Sequence, residues 1–268
     1  MGLVRSLVVY WRPGRQRGLR RLYAPFVGEG DVVFDIGAHL GDRAAAFASL
    51  GARVVALEPQ PRVALWLRRL VGRNPRIEVR AEAVGAQAGR ARLAISRRNP
   101  TLSSMSESWR EGVVHANPGF RDVTWERSVE VPVVTLDQLI ESYGAPSFCK
   151  IDVEGYEAEV LAGLSQPLAA LSFEFVAGGL ETASTCVRRL AELGTYRFNT
   201  VLGEGRSFAL PRWVTSGEML AWLAAGAGGA SSGDVYARLE TPRAVPGAPA
   251  TPRVTEGPGE ARPKEAPR

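Results

Sequence analysis

The run at residues 32–41, Val-Val-Phe-Asp-Ile-Gly-Ala-His-Leu-Gly, constrains the fold more than any other part of this chain. It reads as a short apolar strand that ends in an acid and breaks into a turn carrying Gly37 and Gly41. Glycine lets the backbone reverse tightly and approach a neighbour where a Cβ would collide. A helix follows over 44–50, with Gly51 as its C-terminal stop. The unit then repeats as strand 54–57, helix 61–71 and strand 77–80. Strands alternating with helices predict a parallel sheet with helices on both faces.

The texture changes after residue 80. Residues 90–95 read as an extra strand, 99–108 are polar and Ser-rich, and little periodicity appears up to 127. We read this as a long, partly structured insertion before the fourth core strand, of the kind that often serves as a lid. Strand 129–134 follows, then a helix over 136–143 capped by Thr135. Strands 148–153 and 171–175 flank a helix over 157–164, and 183–193 is a helix ending at Gly194. Segments 196–201 and 207–210 look like an antiparallel pair, followed by a helix near 218–224 and a last strand at 235–239. The expected organisation is a basic lead-in over 1–29, a catalytic domain over 30–240 and a tail over 241–268. Seven prolines in the tail, mixed with Gly, Ala and charges and without an aromatic residue, predict disorder.

Composition narrows the setting. No apolar run approaches the ~20 residues that span a bilayer. The start lacks the apolar core of a signal peptide, so the expected location is the cytoplasm. Cys149 and Cys186 have no metal-type spacing and read as two reduced, buried thiols. The net charge of +5 is concentrated in part at the start, where Arg5, Arg12, Arg15, Arg17, Arg20 and Arg21 precede any acid. Such an arm suits phosphate or peripheral contact with an anionic membrane surface; a solvated Arg-rich helix is the plainer reading. Val8, Val9, Tyr10 and Trp11, then Leu19, Leu22 and Tyr23, can cover an edge of the core.

Four clusters carry chemistry. In the first, Asp35, Gly37, Ala38, His39 and Gly41 form a strand end and glycine turn leading into a helix. Free N–H groups at a helix start favour an anion, and Asp35 favours an ammonium. A methionine moiety carries both. The spacing is not the G-x-G-x-x-G of dinucleotide sites. Glu58 follows the second strand, 58 − 35 = 23 residues after Asp35, where an acid accepts hydrogen bonds from ribose hydroxyls. Glu82 and Ala83 follow the third strand, in the loop that would flank an adenine. Lys150, Asp152 and Glu154 alternate at the end of a strand and so share one side, with Glu174 near the end of the next strand facing the same cleft. Charges so placed must be paired or open onto a cleft.

The segments 33–41, 55–59, 83–85, 134–137, 150–157 and 160–163, in this order and spacing, resemble the FkbM-type family of S-adenosylmethionine-dependent methyltransferases. The Lys150-Ile151-Asp152-Val153-Glu154-Gly155 block is the most specific. The resemblance implies a Rossmann-like class I methyltransferase fold with a mostly parallel seven-stranded sheet. It also implies S-adenosyl-L-methionine as cofactor and a hydroxyl on a sugar or natural-product-like small molecule as acceptor. The chain departs from the family at His39, where Asn is more usual.

An alcohol nucleophile must lose its proton, and Asp152 is the first candidate for the base or for orienting the acceptor, with Glu174 and then His39 behind it and Lys150 beside it. The same acids have the oxygen chemistry of a divalent-cation site; no metal ligand is assigned. Ser103, Ser104 and Trp109 of the insertion are candidates to line the acceptor pocket, and His115 reads as a surface residue. Competing readings are a nucleic-acid methyltransferase using the basic arm, disfavoured because no Asn/Asp-Pro-Pro-aromatic block is present, and a non-catalytic cofactor-binding module.

Overall fold

The computed structural model describes residues 7–240 other than 9, 13, 97–98, 100–101 and 117–121. The tail expected over 241–268 lies outside the described residues. Helix α1 (Arg15–Tyr23) precedes β1 (Val32–Ile36), α2 (Asp42–Ser49), β2 (Arg53–Leu57), α3 (Pro61–Val71) and β3 (Ile77–Arg80). The insertion holds β4 (Ala83–Val84), β5 (Gly89–Ile95), α4 (Glu107–Ala116) and β6 (Arg127–Val134). Then come α5 (Leu136–Tyr143), β7 (Phe148–Ile151), α6 (Glu157–Ala162), β8 (Ala170–Val176), α7 (Leu180–Leu193), β9 (Tyr196–Leu202), α8 (Ser216–Ala224) and β10 (Ser232–Leu239).

The main sheet is seven-stranded in the order β3-β2-β1-β7-β8-β10-β9. Pairing is parallel from β3 through β8, and β10 runs antiparallel to both β8 and β9. From β1 the chain winds outward to β2 and β3, then returns to β7 on the other side of β1. This reversal is the topological switch point, and open α/β sheets bind ligands at the carboxyl ends of the strands there. The Rossmann-like methyltransferase architecture expected from the sequence is the one observed. A second sheet, β4-β6-β5, makes up the insertion.

Both faces of the sheet are dry because its central strands are near-continuous apolar runs, buried on either side. Val33, Val54 and Ala56 pack with Leu19, Leu22, Tyr23, Phe47 and Leu67, so α1, α2 and α3 cover one face. Phe34, Ile36, Val55 and Leu57 pack with Leu136, Val160, Cys186 and Leu223, so α5 to α8 cover the other. Each such large side chain contributes about 1.5–3 kcal/mol by leaving water. The start of α5 follows from local chemistry: Thr135 Oγ1 accepts from Gln138 N, and Gln138 Oε1 accepts from Thr135 N, both at 3.1 Å.

Two expectations need correction. Residues 207–210 are not a strand; β9 pairs with β10 instead. Asn199 explains the failure, because its side-chain oxygen accepts from Leu210 N and its amide donates to the Leu210 carbonyl, pinning that stretch as a loop. The insertion is also more ordered than its weak periodicity suggested, since it contains α4 with Trp109 and Val113 buried.

Candidate active site

One cleft opens at the switch point, lined by the ends of β1, β2 and β7 together with the insertion. From the predicted set it gathers Asp35, Gly37, Ala38, His39, Glu58, Glu82, Ala83 and Asp152. Ser103, Met105 and Glu154 close it from the insertion side and the β7 end. Gly41, Lys150 and Glu174 do not line it. Gly41 instead starts α2 and faces α3, where an added Cβ would meet Leu67 at 2.6 Å.

The glycine turn is built for close approach. Gly37 has φ +80°, and its N–H and that of Ala38 both donate to the Leu57 carbonyl at 2.9 Å. His39, with φ +48°, sits in the left-handed region and turns its N–H to Glu58 Oε2 at 3.1 Å. Glu58 Oε1 accepts from Gln60 N at 2.8 Å. These bonds order the Glu58 carboxylate and leave it further acceptor capacity, since a carboxylate has about four lone-pair sites. Burial pushes Glu58 up to about 7 against the pull of the two backbone donors.

Asp35 is 1% exposed, and its Oδ2 has no hydrogen-bond partner. Burial raises its pKa to about 7, with Arg43 opposing. The His39 Nε2 is likewise buried without a partner, and burial lowers the imidazole pKa to about 4, so the ring is neutral at pH 7. Arg43 Nε is a third orphan lining the same cleft. Buried polar groups in folded proteins are nearly always paired, and Asp35, His39 and Arg43 bring three such unpaired atoms to this one cleft.

Beneath the cleft, Lys150 is fully buried on β7. Its Nζ donates to Asp234 Oδ1 at 2.8 Å and Asp152 Oδ2 at 3.1 Å. Burial alone would lower the lysine pKa, but Asp152 and Asp234 raise it above its ordinary value. Burial likewise pushes Asp152 up, while Lys150 and Arg43 more than offset this and hold it below the usual carboxylate range. Asp152 is therefore ionised, and Lys150 acts on it from behind.

Asp152, Glu154 and Glu174 offer carboxylate oxygens that all lie within 4.8 Å of one another. Burial first, then the charge of neighbouring acids, Asp152 among them, pushes Glu154 and Glu174 well above the ordinary range. Such a group has the donor set for one divalent cation. Glu154 reaches the cluster through a left-handed turn, φ +54°, followed by Gly155 at +86°. Ser104 Oγ donates to the Glu154 carbonyl at 2.7 Å, and a Cβ on Gly155 would lie 2.0 Å from Trp109. The insertion is thus seated on the end of the β7 loop, with Gln60 Nε2 donating to Ser103 Oγ at 2.7 Å across the cleft. His115 is exposed, as expected.

Three residues of this region escape sequence reasoning. Tyr10 lines the cleft from a segment with little pattern. Arg43 does so from the first turn of α2. Asp234 arrives on β10, more than eighty residues from its partner Lys150. The one signal available was the isolation of Lys150 in a chain where Arg is otherwise the rule: a buried lysine demands an acid.

Residues 35–225 match the methyltransferase FkbM domain family. The chain is 30% identical over 178 residues to the hexuronic acid methyltransferase AglP of Haloferax volcanii, covering 65% of this chain and 67% of that one. Among solved structures it is similar to an O-methyltransferase from Bacillus cereus in complex with SAH, with 17% identity, TM-score 0.44 and coverage of 89% and 90%. It is also similar to Aeropyrum pernix fibrillarin with natively bound S-adenosyl-L-methionine, with 12% identity, TM-score 0.42 and coverage of 83% and 76%. Neither structural likeness enters the assignment, which rests on the family match across most of the sequence: the chain belongs to the FkbM family of S-adenosylmethionine-dependent methyltransferases.

Proposed function

We propose that this enzyme methylates a hydroxyl oxygen of a sugar-like small molecule, with Asp152 orienting the acceptor and taking its proton. The observation that carries the reading is the set of buried, unpartnered polar atoms on Asp35, His39 and Arg43 around one cleft at the switch point. They fit the cofactor. Asp35 suits the ammonium of its methionine chain, Glu58 suits its ribose hydroxyls, and Glu82 and Ala83 flank the place for its base. When bound, S-adenosylmethionine supplies an electrophilic methyl group on a sulfonium. Much of the protein's part is then positioning and exclusion of water.

Asp152 is the member of the acid cluster held below the ordinary carboxylate range, whereas Glu154 and Glu174 are pushed above it, and it lines the cleft. Neighbouring carboxyls pushed apart in pKa take separate roles. Lys150 fixes the carboxylate and does not touch substrate. Glu174 is pushed up by burial and neighbouring acids and lies outside the cleft lining, which leaves Asp152 as the first candidate for the base. The insertion supplies the acceptor side, with Ser103 and Met105 in the lining. A sugar acceptor agrees with the name of the hexuronic acid relative. A small acceptor also agrees with the N-terminal segment, where Arg15 is engaged in internal ion pairs instead of facing a phosphate backbone. The free, buried thiols Cys149 and Cys186 suit a reducing compartment, and we place the enzyme in the cytoplasm. No helix among the described residues is long and apolar enough to cross a membrane.

The test is methyl transfer from isotope-labelled S-adenosylmethionine to a panel of sugars that includes hexuronic acids. The expected product is an alkali-stable methyl ether, and Asp152→Asn should lower kcat by about 10²–10⁴-fold with cofactor affinity retained. Full turnover by Asp152→Asn would remove Asp152 from the proton transfer. An alkali-labile methyl ester as the only product would overturn the hydroxyl reading.

A further inference from the structure

Tyr10, Trp11, Arg15 and Gln16, upstream of the family match that begins at residue 35, are tied by their side chains to the glycine turn and the residues beside it. Trp11 Nε1 donates to the Leu40 carbonyl at 3.2 Å, and Gln16 Nε2 donates to the Asp42 carbonyl at 2.9 Å. Arg15 is 2% exposed; its Nε lies 2.7 Å from Asp42 Oδ2 and its Nη2 lies 2.8 Å from Glu204 Oε2. The Arg15 guanidinium sits 4.9 Å from the centre of the Tyr10 ring, which packs edge to face with the His39 ring at 5.4 Å between ring centres. Tyr10 is thereby fixed in the wall of the cleft.

Arg43 lines the cleft beside it. Its Nε is buried with no hydrogen bond, and the nearest acid oxygen, Asp42 Oδ1, is 3.8 Å from Nη1, beyond hydrogen-bonding reach. Among the described residues, this guanidinium has donors to spare and faces a cleft whose other charged groups are acids. The methionine end of the cofactor carries positive charge at sulfur and nitrogen and one negative group, its carboxylate. Acids serve the first two; only a cation and neutral donors serve the third.

We propose that Arg43 and Tyr10 hold the methionine carboxylate, in a subsite that the anchoring of Trp11, Arg15 and Gln16 keeps in place. Tyr10 has the right chemistry, because burial first and Glu204 next keep its phenol protonated and able to donate. The subsite rests on the reading of the cleft as the S-adenosylmethionine site. It adds two residues outside the matched motifs and gives the basic N-terminal segment a role in the active site.

Calorimetry with two ligands separates the claims. S-adenosylhomocysteine has the carboxylate, whereas 5′-deoxy-5′-methylthioadenosine keeps the nucleoside and sulfur but lacks the amino-acid chain. Arg43→Met should weaken S-adenosylhomocysteine by about tenfold to a hundredfold and leave methylthioadenosine unchanged. Tyr10→Phe, a milder change in a surface segment, should weaken only S-adenosylhomocysteine, by about threefold to tenfold. Arg43→Lys, which keeps the charge without the fork, should fall between wild type and Arg43→Met. Equal losses for both ligands, or no loss for either, would overturn the subsite. Failure of wild type to bind either ligand would overturn the cofactor reading itself, and a wild type that binds both equally would sink the subsite alone.

Discussion

A Cβ placed on Gly37 would lie 1.8 Å from the carbonyl oxygen of Asp152. The glycine turn after β1 and the acid end of β7 are therefore one joint: the turn can pass over Asp152 only without a side chain. Gly37 also has φ +80°, a conformation that costs other residues about 1–2 kcal/mol. Gly37→Ala should therefore destabilise the fold by about 2–5 kcal/mol, the backbone cost plus that of overpacking. A urea melt checks this; an unchanged midpoint would show that the two loops are not in contact.

Lys150 gives a second prediction. Its ammonium is fully buried between Asp234 and Asp152. Removing one partner of a buried ion pair leaves the other uncompensated, at about 3–5 kcal/mol. Lys150→Met should lose stability on that scale, and Lys150→Met with Asp234→Asn should recover part of it because the stranded charge is gone. Additive losses in the double variant would deny the coupling.

The pH dependence has a definite sign. Asp35, Glu58 and Glu157 are each raised by burial to about 7. Between the ordinary carboxylate range and about pH 7 the folded chain holds protons that the unfolded chain has lost, so unfolding free energy falls as pH rises. Asp152, held low, acts oppositely, with stability lost only at more acid pH than this window. The ligand-free protein should melt at a lower temperature at about pH 8 than at about pH 5. The stabilisation by S-adenosylhomocysteine should grow over the same interval, because Asp35 must ionise to hold an ammonium. Thermal melts with and without ligand check both; a ligand effect that shrinks as pH rises would contradict the role of Asp35.

Trp109 is 6% exposed and packs on Gly155, where only glycine leaves it room. Trp109→Ala should unseat the insertion, raising acceptor KM at least about tenfold by misplacing the pocket wall. S-adenosylhomocysteine affinity should hardly change, since the cofactor half of the cleft is built by β1 and β2. Acceptor kinetics beside calorimetry separate the two; a loss confined to the cofactor would move the insertion's role to the other half of the site.

Much of this was legible in the sequence, for local reasons. The core strands and helices announce themselves by runs of buried apolar residues, and a capping pair such as Thr135 and Gln138 marks a helix start unaided. Asp35, Glu58 and Asp152 could be found because each terminates an apolar strand. What was hidden depends on distant partners. Whether Lys150 faces the cleft or the interior depends on Asp234, and whether Arg15 is a solvated arm or a buried anchor depends on Asp42 and Glu204. The loop at 207–210 imitates a strand in composition, and only the side chain of Asn199 shows otherwise.

The central claim is that the switch-point cleft binds S-adenosylmethionine. Calorimetric titration of the wild-type protein with S-adenosylhomocysteine tests it most directly, with Glu58→Ala as the comparison. Saturable binding of one ligand per chain is expected, weakened by about tenfold or more in Glu58→Ala through loss of the ordered carboxylate. No binding heat and no rise in melting temperature at saturating ligand would contradict it.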